Sequence, residues 1–226
     1  GGIADDQFFF WSNELGNHGM ELYVSDGTSA GTQLVQDINP GTGSSVNHNY
    51  YGGAATIGNK LLFIATEGSS DGYELWVSDG TSGGTFALSG TGTNAGSLGF
   101  THYQFQPLTA GNLTYFEAFD SEAGNALFVT DGTIAGTKML MDLNEINDAY
   151  SKSNLFVVDG TFYFSPNNGL YSGSVWTSDG TVEGTVLVSD ALPSSNAAYA
   201  PQMLNVVDLD DANIPTPTYT GGSSSE

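Results

Sequence analysis

The twelve residues ELYVSDGTSAGT, 21–32, place an Asp-Gly-Thr and then a second Gly-Thr directly behind a short apolar run. The same frame returns as ELWVSDGTSGGT (74–85), ALFVTDGTIAGT (126–137) and SVWTSDGTVEGT (174–185). The aspartates Asp26, Asp79, Asp131 and Asp179 stand 53, 52 and 48 residues apart. A steady period of this length marks an array built from one supersecondary unit, used four times.

The flanks of each block read as strands. Upstream lie the aromatic runs QFFFW (7–11), KLLFIAT (60–66), LTYFEAF (113–119) and TFYFS (161–165). Downstream of the second Gly-Thr come TQLVQDI, TFALSG, TKMLMDL and TVLVSDA. Short apolar runs broken by turn residues every 8–12 positions are the signature of antiparallel strands. A further strand precedes the aromatic one in three repeats, within GAATIGN (53–59), PLTAGN (107–112) and LFVVDG (155–160). The first repeat starts directly at its aromatic strand, while PQMLNVVDLD (201–210) stands spare after the last.

One missing and one spare strand suit a ring in which the C-terminal strand completes the N-terminal unit. The expected fold is therefore all-β: a four-bladed β-propeller with four antiparallel strands per blade. Residues 1–212 form the propeller, with blades near 5–40 plus 201–208, 50–90, 104–143 and 153–190. The alternative geometry is a segment of a larger propeller. The end, NIPTPTYTGGSSSE (213–226), is Pro/Thr- and Gly/Ser-rich and reads as a linker or tail.

The pattern E-L-W-x-S-D-G-T-x-x-G-T-x-L-V-x-D-I-x-P-G resembles the ELWxxDGT repeat family of bacterial secreted and surface proteins. In the first copy Glu21, Leu22, Asp26, Gly27, Thr28, Gly31, Thr32, Leu34, Val35, Asp37, Ile38, Pro40 and Gly41 match it, with Tyr23 in place of the Trp kept as Trp76. Later copies drift: Ala126 and Ser174 replace the Glu, Phe128 the Trp, and Gly90 stands where Asp37, Asp142 and Asp190 recur. The resemblance implies an exported protein and a propeller-like module, extracellular or on a bacterial cell surface. It brings no defined catalytic activity.

Composition limits the partners. Asp and Glu number 25 against three cations, Lys60, Lys138 and Lys152, with no arginine, for a net charge of −22. Such a surface repels phosphate backbones and anionic lipid, which argues against nucleic acid and membrane insertion. An acidic surface of this kind keeps a protein dispersed in a salty medium. There is no cysteine, hence no disulfide framework and no thiolate site. The chain starts Gly1-Gly2 rather than Met and reads as a mature or excised piece.

The Asp-Gly-Thr blocks are expected to be structural turns. Aspartate accepts from backbone N–H groups two or three residues on, the glycine supplies positive φ, and the threonine hydroxyl closes the turn. This assigns Asp26, Gly27 and Thr28, Asp79, Gly80 and Thr81, Asp131, Gly132 and Thr133, and Asp179, Gly180 and Thr181 to outer hairpins. Asp37, Asp142 and Asp190 are read as caps after the last strand. DLDDAN (208–213) alternates oxygens at Asp208 and Asp210, a weak match to a Ca²⁺ loop without its glycine and closing Glu. Calcium is the one cofactor the sequence suggests.

His18, His48 and His102 share no repeat position and form no zinc or catalytic pattern. Glu14, Glu67, Glu117 and Asp120 flank the aromatic strands, and no pair stands out for the two-carboxylate hydrolysis of glycosides. Tyr50, Tyr51, Tyr103 and Tyr171, in the long connections, are candidates to stack on sugars. The leading expectation is a non-catalytic, exported propeller acting as a structural or protein-interaction module, with other surface proteins or copies of itself as partners. The alternative is a carbohydrate-binding or Ca²⁺-assisted adhesion module, and the remote one a glycan-processing enzyme.

Overall fold

A computed structural model describes residues 2–4, 7–13, 17–46, 53–68, 72–89, 98–100, 105–120, 123–143, 153–166 and 174–190. Among the described residues seventeen strands make four antiparallel sheets in chain order. The first holds β1 (Gly2–Ala4), β2 (Gln7–Asn13), β3 (Met20–Ser25) and β4 (Gln33–Gln36). The second holds β5 (Ala55–Ile57), β6 (Lys60–Ala65), β7 (Glu74–Ser78) and β8 (Phe86–Ala87). The third joins β10 (Leu108–Ala110), β11 (Leu113–Asp120), β12 (Gly124–Thr130) and β13 (Lys138–Asp142), with β9 (Leu98–Gly99) against the far end of β11. The fourth holds β14 (Asn154–Val158), β15 (Thr161–Ser165), β16 (Ser174–Ser178) and β17 (Val186–Asp190).

The four sheets share one frame. Phe8 pairs with Ser25, Leu61 with Ser78, Thr114 with Thr130 and Phe162 with Ser178, so the aromatic strand meets the end of the third strand identically each time. A register shift interrupts the third and fourth strands at Leu22/Tyr23, Leu127/Phe128 and Val175/Trp176, a bulge that raises the local twist. In the second, third and fourth sheets the first two strands meet in two-residue turns. Asp159-Gly160 has both φ values positive, 48° and 75°, which suits the twist of a hairpin.

The first sheet corrects one expectation. Gly2–Ala4 pairs with Gln7–Phe9 as an inner strand, so the first repeat does not begin at its aromatic strand. The place reserved for residues 201–210 beside β2 is taken. Those residues lie outside the described ones. Three residues opening with glycine carry no alternation or turn-bounded run, which is why the strand is invisible in the sequence.

Apolar cores fill the spaces between successive sheets. Phe9, Leu22 and Val24 of the first sheet pack on Leu61, Phe63 and Trp76 of the second. The other face of the second, with Leu62, Leu75 and Val77, packs on Phe116 and Phe128 of the third. Tyr115, Leu127 and Val129 on the third sheet's far face meet Phe162 and Phe164 of the fourth. Strand alternation thus buries both faces of the two middle sheets.

Candidate functional site

The repeated turn is held by a closed set of local hydrogen bonds. Asp26 Oδ1 accepts from the Thr28 N–H at 2.8 Å and the Thr28 hydroxyl at 2.7 Å. Thr28 Oγ1 in turn accepts from the Gly31 N–H at 3.0 Å, and the Thr32 hydroxyl donates to the Thr28 carbonyl at 2.7 Å. Ser25 Oγ accepts from the Gly27 N–H and shares a hydrogen bond with Thr32. The same set recurs about Asp79, Asp131 and Asp179. Gly27, Gly80, Gly132 and Gly180 have φ near +80° to +90°, where a side chain is strained. A Cβ on Gly31, Gly84, Gly136 or Gly184 would fall on the aspartate carboxyl of its own turn. Every fixed position of S/T-D-G-T-x-x-G-T therefore has a local physical reason.

These hydrogen bonds to the carboxylate form hold Asp26, Asp79 and Asp179 below their ordinary carboxyl range, the threonine hydroxyl contributing most. Lys60 adds a favourable charge near Asp79, and Lys138 near Asp179. Among the described residues no group of three His, Asp or Glu side chains is placed to hold a metal ion. The calcium candidates Asp208 and Asp210 lie outside the described residues, as do Tyr50, Tyr51, Tyr103 and Tyr171.

Two acidic arrangements escaped the sequence reading. Glu21 is fully buried at the start of β3, where its two oxygens accept the N–H groups of Ile38 and Ser45, both at 3.0 Å. It pins the segment leaving β4 to the sheet, and burial pushes its carboxyl up despite these bonds. Glu74, at the same repeat position, accepts the Ser89 hydroxyl at 2.6 Å. Separately, His18 Nδ1 lies 3.0 Å from Asp37 Oδ2, which also accepts the Gly41 N–H. Asp37 thus braces a loop, and His18 belongs to that brace. His48 and His102 lie outside the described residues.

The four carboxylates weighed for glycoside chemistry separate. Glu67 is exposed, Asp120 caps a turn by accepting the Ala123 N–H at 2.8 Å, and Glu14 lies outside the described residues. Glu117 faces a cleft, of about 230 Å³, between the third and fourth sheets. Its position follows from alternation on β11: Phe116 and Ala118 turn to the second sheet, and Tyr115 and Glu117 to the fourth. Gln106, Pro107 and Leu108 lead into β10 on one wall, and Ser153, Asn154 and Leu155 into β14 on the other. Glu117 Oε1 accepts the Ser153 N–H at 2.9 Å, which ties the walls together. The cleft thereby sets a carboxylate, two amides and a hydroxyl beside the apolar surface of Pro107, Leu108 and Leu155.

No family model matches the chain, and no curated protein matches it. Among solved structures the chain is similar to an alpha-L-arabinofuranosidase from Clostridium thermocellum ATCC 27405, at 16% identity, over 83% of this chain and 71% of that one, with a TM-score of 0.30. The comparisons do not bear out the expectation of a non-catalytic exported structural or protein-interaction module; the solved structure found is that of an enzyme. A likeness this distant brings neither its activity nor its substrate to this chain. What stands is an all-β chain of four antiparallel sheets.

Proposed function

We propose that this chain is an extracellular, carbohydrate-binding β-propeller whose sugar site is the cleft holding Glu117. The blade arrangement is supported by the inner strands, since β1 neighbours β5, β5 neighbours β10, and β10 neighbours β14, in chain order. Four-stranded repeats succeeding one another in this way are the elements of a propeller.

The single observation that carries the binding reading is the lining of the cleft. Sugars offer hydroxyls at fixed spacing around a C–H face. They are held by planar amides and carboxylates that accept and donate in pairs, beside an apolar strip that covers the ring. Gln106, Asn154, Ser153 and Glu117 are the polar half of such a lining, and Pro107, Leu108 and Leu155 the apolar half. A volume of about 230 Å³ lies just under the roughly 300 Å³ lower end for drug-sized ligand pockets, which fits a single sugar residue.

The test is a glycan array followed by calorimetry on the best ligand, using the intact chain and its Glu117→Gln and Asn154→Ala forms. The Glu117→Gln form keeps an amide oxygen for the Ser153 N–H while removing the charge. A hydrogen bond to a charged group is worth about 1.5–3 kcal/mol and one to a neutral amide about 0.5–1.5 kcal/mol, so Glu117→Gln should bind roughly ten- to a hundredfold more weakly and Asn154→Ala roughly two- to tenfold. An empty array, or a ligand bound equally by wild type and both variants, overturns the assignment.

A further inference from the structure

The four sheets are equivalent by register, yet their surroundings are not. Phe8 corresponds to Leu61, Thr114 and Phe162, and it is 48% exposed where these are 3%, 0% and 1%. Phe10 and Tyr23 share that face of the first sheet and are half-buried, whereas their counterparts Phe63 and Trp76 lie buried beneath the first sheet. Phe8 stacks on Phe10 at 5.6 Å and Phe10 meets Tyr23 in a tilted contact at 5.7 Å, a continuous aromatic surface.

The turns repeat the distinction. A Cβ on Gly80 would meet Gln7 and Phe9 of the first sheet, one on Gly132 would meet Ile57 and Lys60 of the second, and one on Gly180 would meet Leu113 of the third. Each of these turns is seated on the sheet before it. Gly27, the same residue of the first turn, has nothing within 4 Å. The first sheet therefore presents a complete seat-bearing face with no sheet upon it among the described residues.

The fourth sheet presents the complementary face. Phe162 and Phe164 point to the third sheet, so Tyr163 and its pair Phe156 turn the other way, their rings 6.4 Å apart. Val186 pairs with Thr177 on that side and is 47% exposed, and Val188, two residues on, is 54% exposed. Tyr163 and Thr161 stand where Phe9 and Gln7 support the Gly80 turn.

We propose that this chain associates head to tail with a second copy: the Phe8–Phe10–Tyr23 face of one packs on the Phe156–Tyr163–Val188 face of the other. The interface between successive repeats dictates the occupant, because each turn-bearing face inside the chain is covered by the opposite face of another repeat. Among the described residues one chain carries one uncovered example of each. Two such contacts close a pair of chains into a ring, since a heterologous contact either closes or propagates. At a net charge of −22 per chain, the copies repel each other at long range. Association therefore strengthens with salt, as screening shortens that repulsion while leaving apolar contact intact.

Sedimentation or light scattering of the full chain, over a range of protein and salt concentrations, tests this. The expected result is twice the one-chain mass at high salt and high protein concentration, falling to the one-chain mass on dilution or desalting. Phe8→Asp and Val188→Asp each spoil one face and should run as single chains. Mixed in equal amounts they should regain a two-chain species through their remaining good faces. Far-UV circular dichroism reports whether each variant folds, and the wild-type measurement stands without them. A wild-type chain that stays single under every condition overturns the proposal, and shows the two faces covered within one chain. Variants that associate as wild type, or a mixture that fails to pair, overturn it as well.

Discussion

Replacing Gly84 by alanine probes the repeated turn at its tightest point. The new Cβ falls on the Asp79 carboxyl, which must then leave the Thr81 N–H at 2.9 Å and the Thr81 hydroxyl at 2.7 Å. The hydroxyl loses its acceptor, and the Gly84 N–H, 3.0 Å from it, loses its alignment. Three turn hydrogen bonds at about 0.5–1.5 kcal/mol each, taken toward the low end for a turn open to solvent, come to about 2–3 kcal/mol. In a chain of this size that lowers the melting midpoint by about 4–12 °C. Asp79→Ala removes two of the bonds directly and costs about 1–2 kcal/mol. The double variant is the decisive one. With the carboxyl gone, alanine at 84 collides with nothing and gains about 0.4–1 kcal/mol by restricting the unfolded chain. The two substitutions should therefore couple by about 2 kcal/mol or more, measured from urea unfolding followed by tryptophan fluorescence and circular dichroism. Full additivity, or a Gly84→Ala chain as stable as wild type, would refute the account of why the second glycine is there.

Two further predictions concern the buried polar groups. Tyr115 donates its hydroxyl to the Ser178 carbonyl at 3.1 Å while its ring stacks on Phe162 at 3.8 Å. Tyr115→Phe keeps the stack and orphans the carbonyl, so urea unfolding should show a loss of about 1 kcal/mol. For pH, burial raises the folded pKa of Glu21 above its ordinary 4.5. A raised carboxyl favours the protonated fold, so this contribution is present below 4.5 and lost as pH rises through the folded value. Asp26, Asp79 and Asp179 are lowered from 3.8, so theirs is present above 3.8 and lost as pH falls through the folded values. Melting midpoints should rise as pH falls through the raised folded value of Glu21 toward 4.5, pass a maximum and then fall below 3.8; Glu21→Gln should flatten the rise.

What was legible in the sequence was what neighbouring residues decide among themselves. The side-chain hydrogen bonds that recur in all four Asp-Gly-Thr blocks join residues at most seven apart, so a fixed motif had to appear wherever the turn does. What was hidden joins distant segments. Glu21 acts on backbone N–H groups 17 and 24 residues away, and a backbone target leaves no mark on side-chain identity. The His18–Asp37 contact spans 19 residues and occurs in one repeat only. The cleft at Glu117 comes from the lead-ins to two successive inner strands, which carry no shared motif. The inner strand Gly2–Ala4 is defined by its pairing with β2 rather than by its composition.

The repeated turn also separates conformation from packing. In the first sheet it is exposed and seats on no sheet among the described residues, yet Asp26 accepts at 2.8 and 2.7 Å, against 2.9 and 2.7 Å for the seated Asp79. Gly27 and Gly80 share φ +89°. Seating on a neighbour thus does not shape the turn: the turn forms from its own residues and then meets whatever sheet lies beneath. A preformed face loses little conformational freedom on contact, so more of its apolar burial is retained as binding free energy. The same local bonds that make the motif recur so faithfully therefore leave the first sheet ready for a partner it does not have within the described chain. Function that differs between the repeats must then come from positions the turn does not constrain, and Glu117, facing the fourth sheet from the third, is such a position.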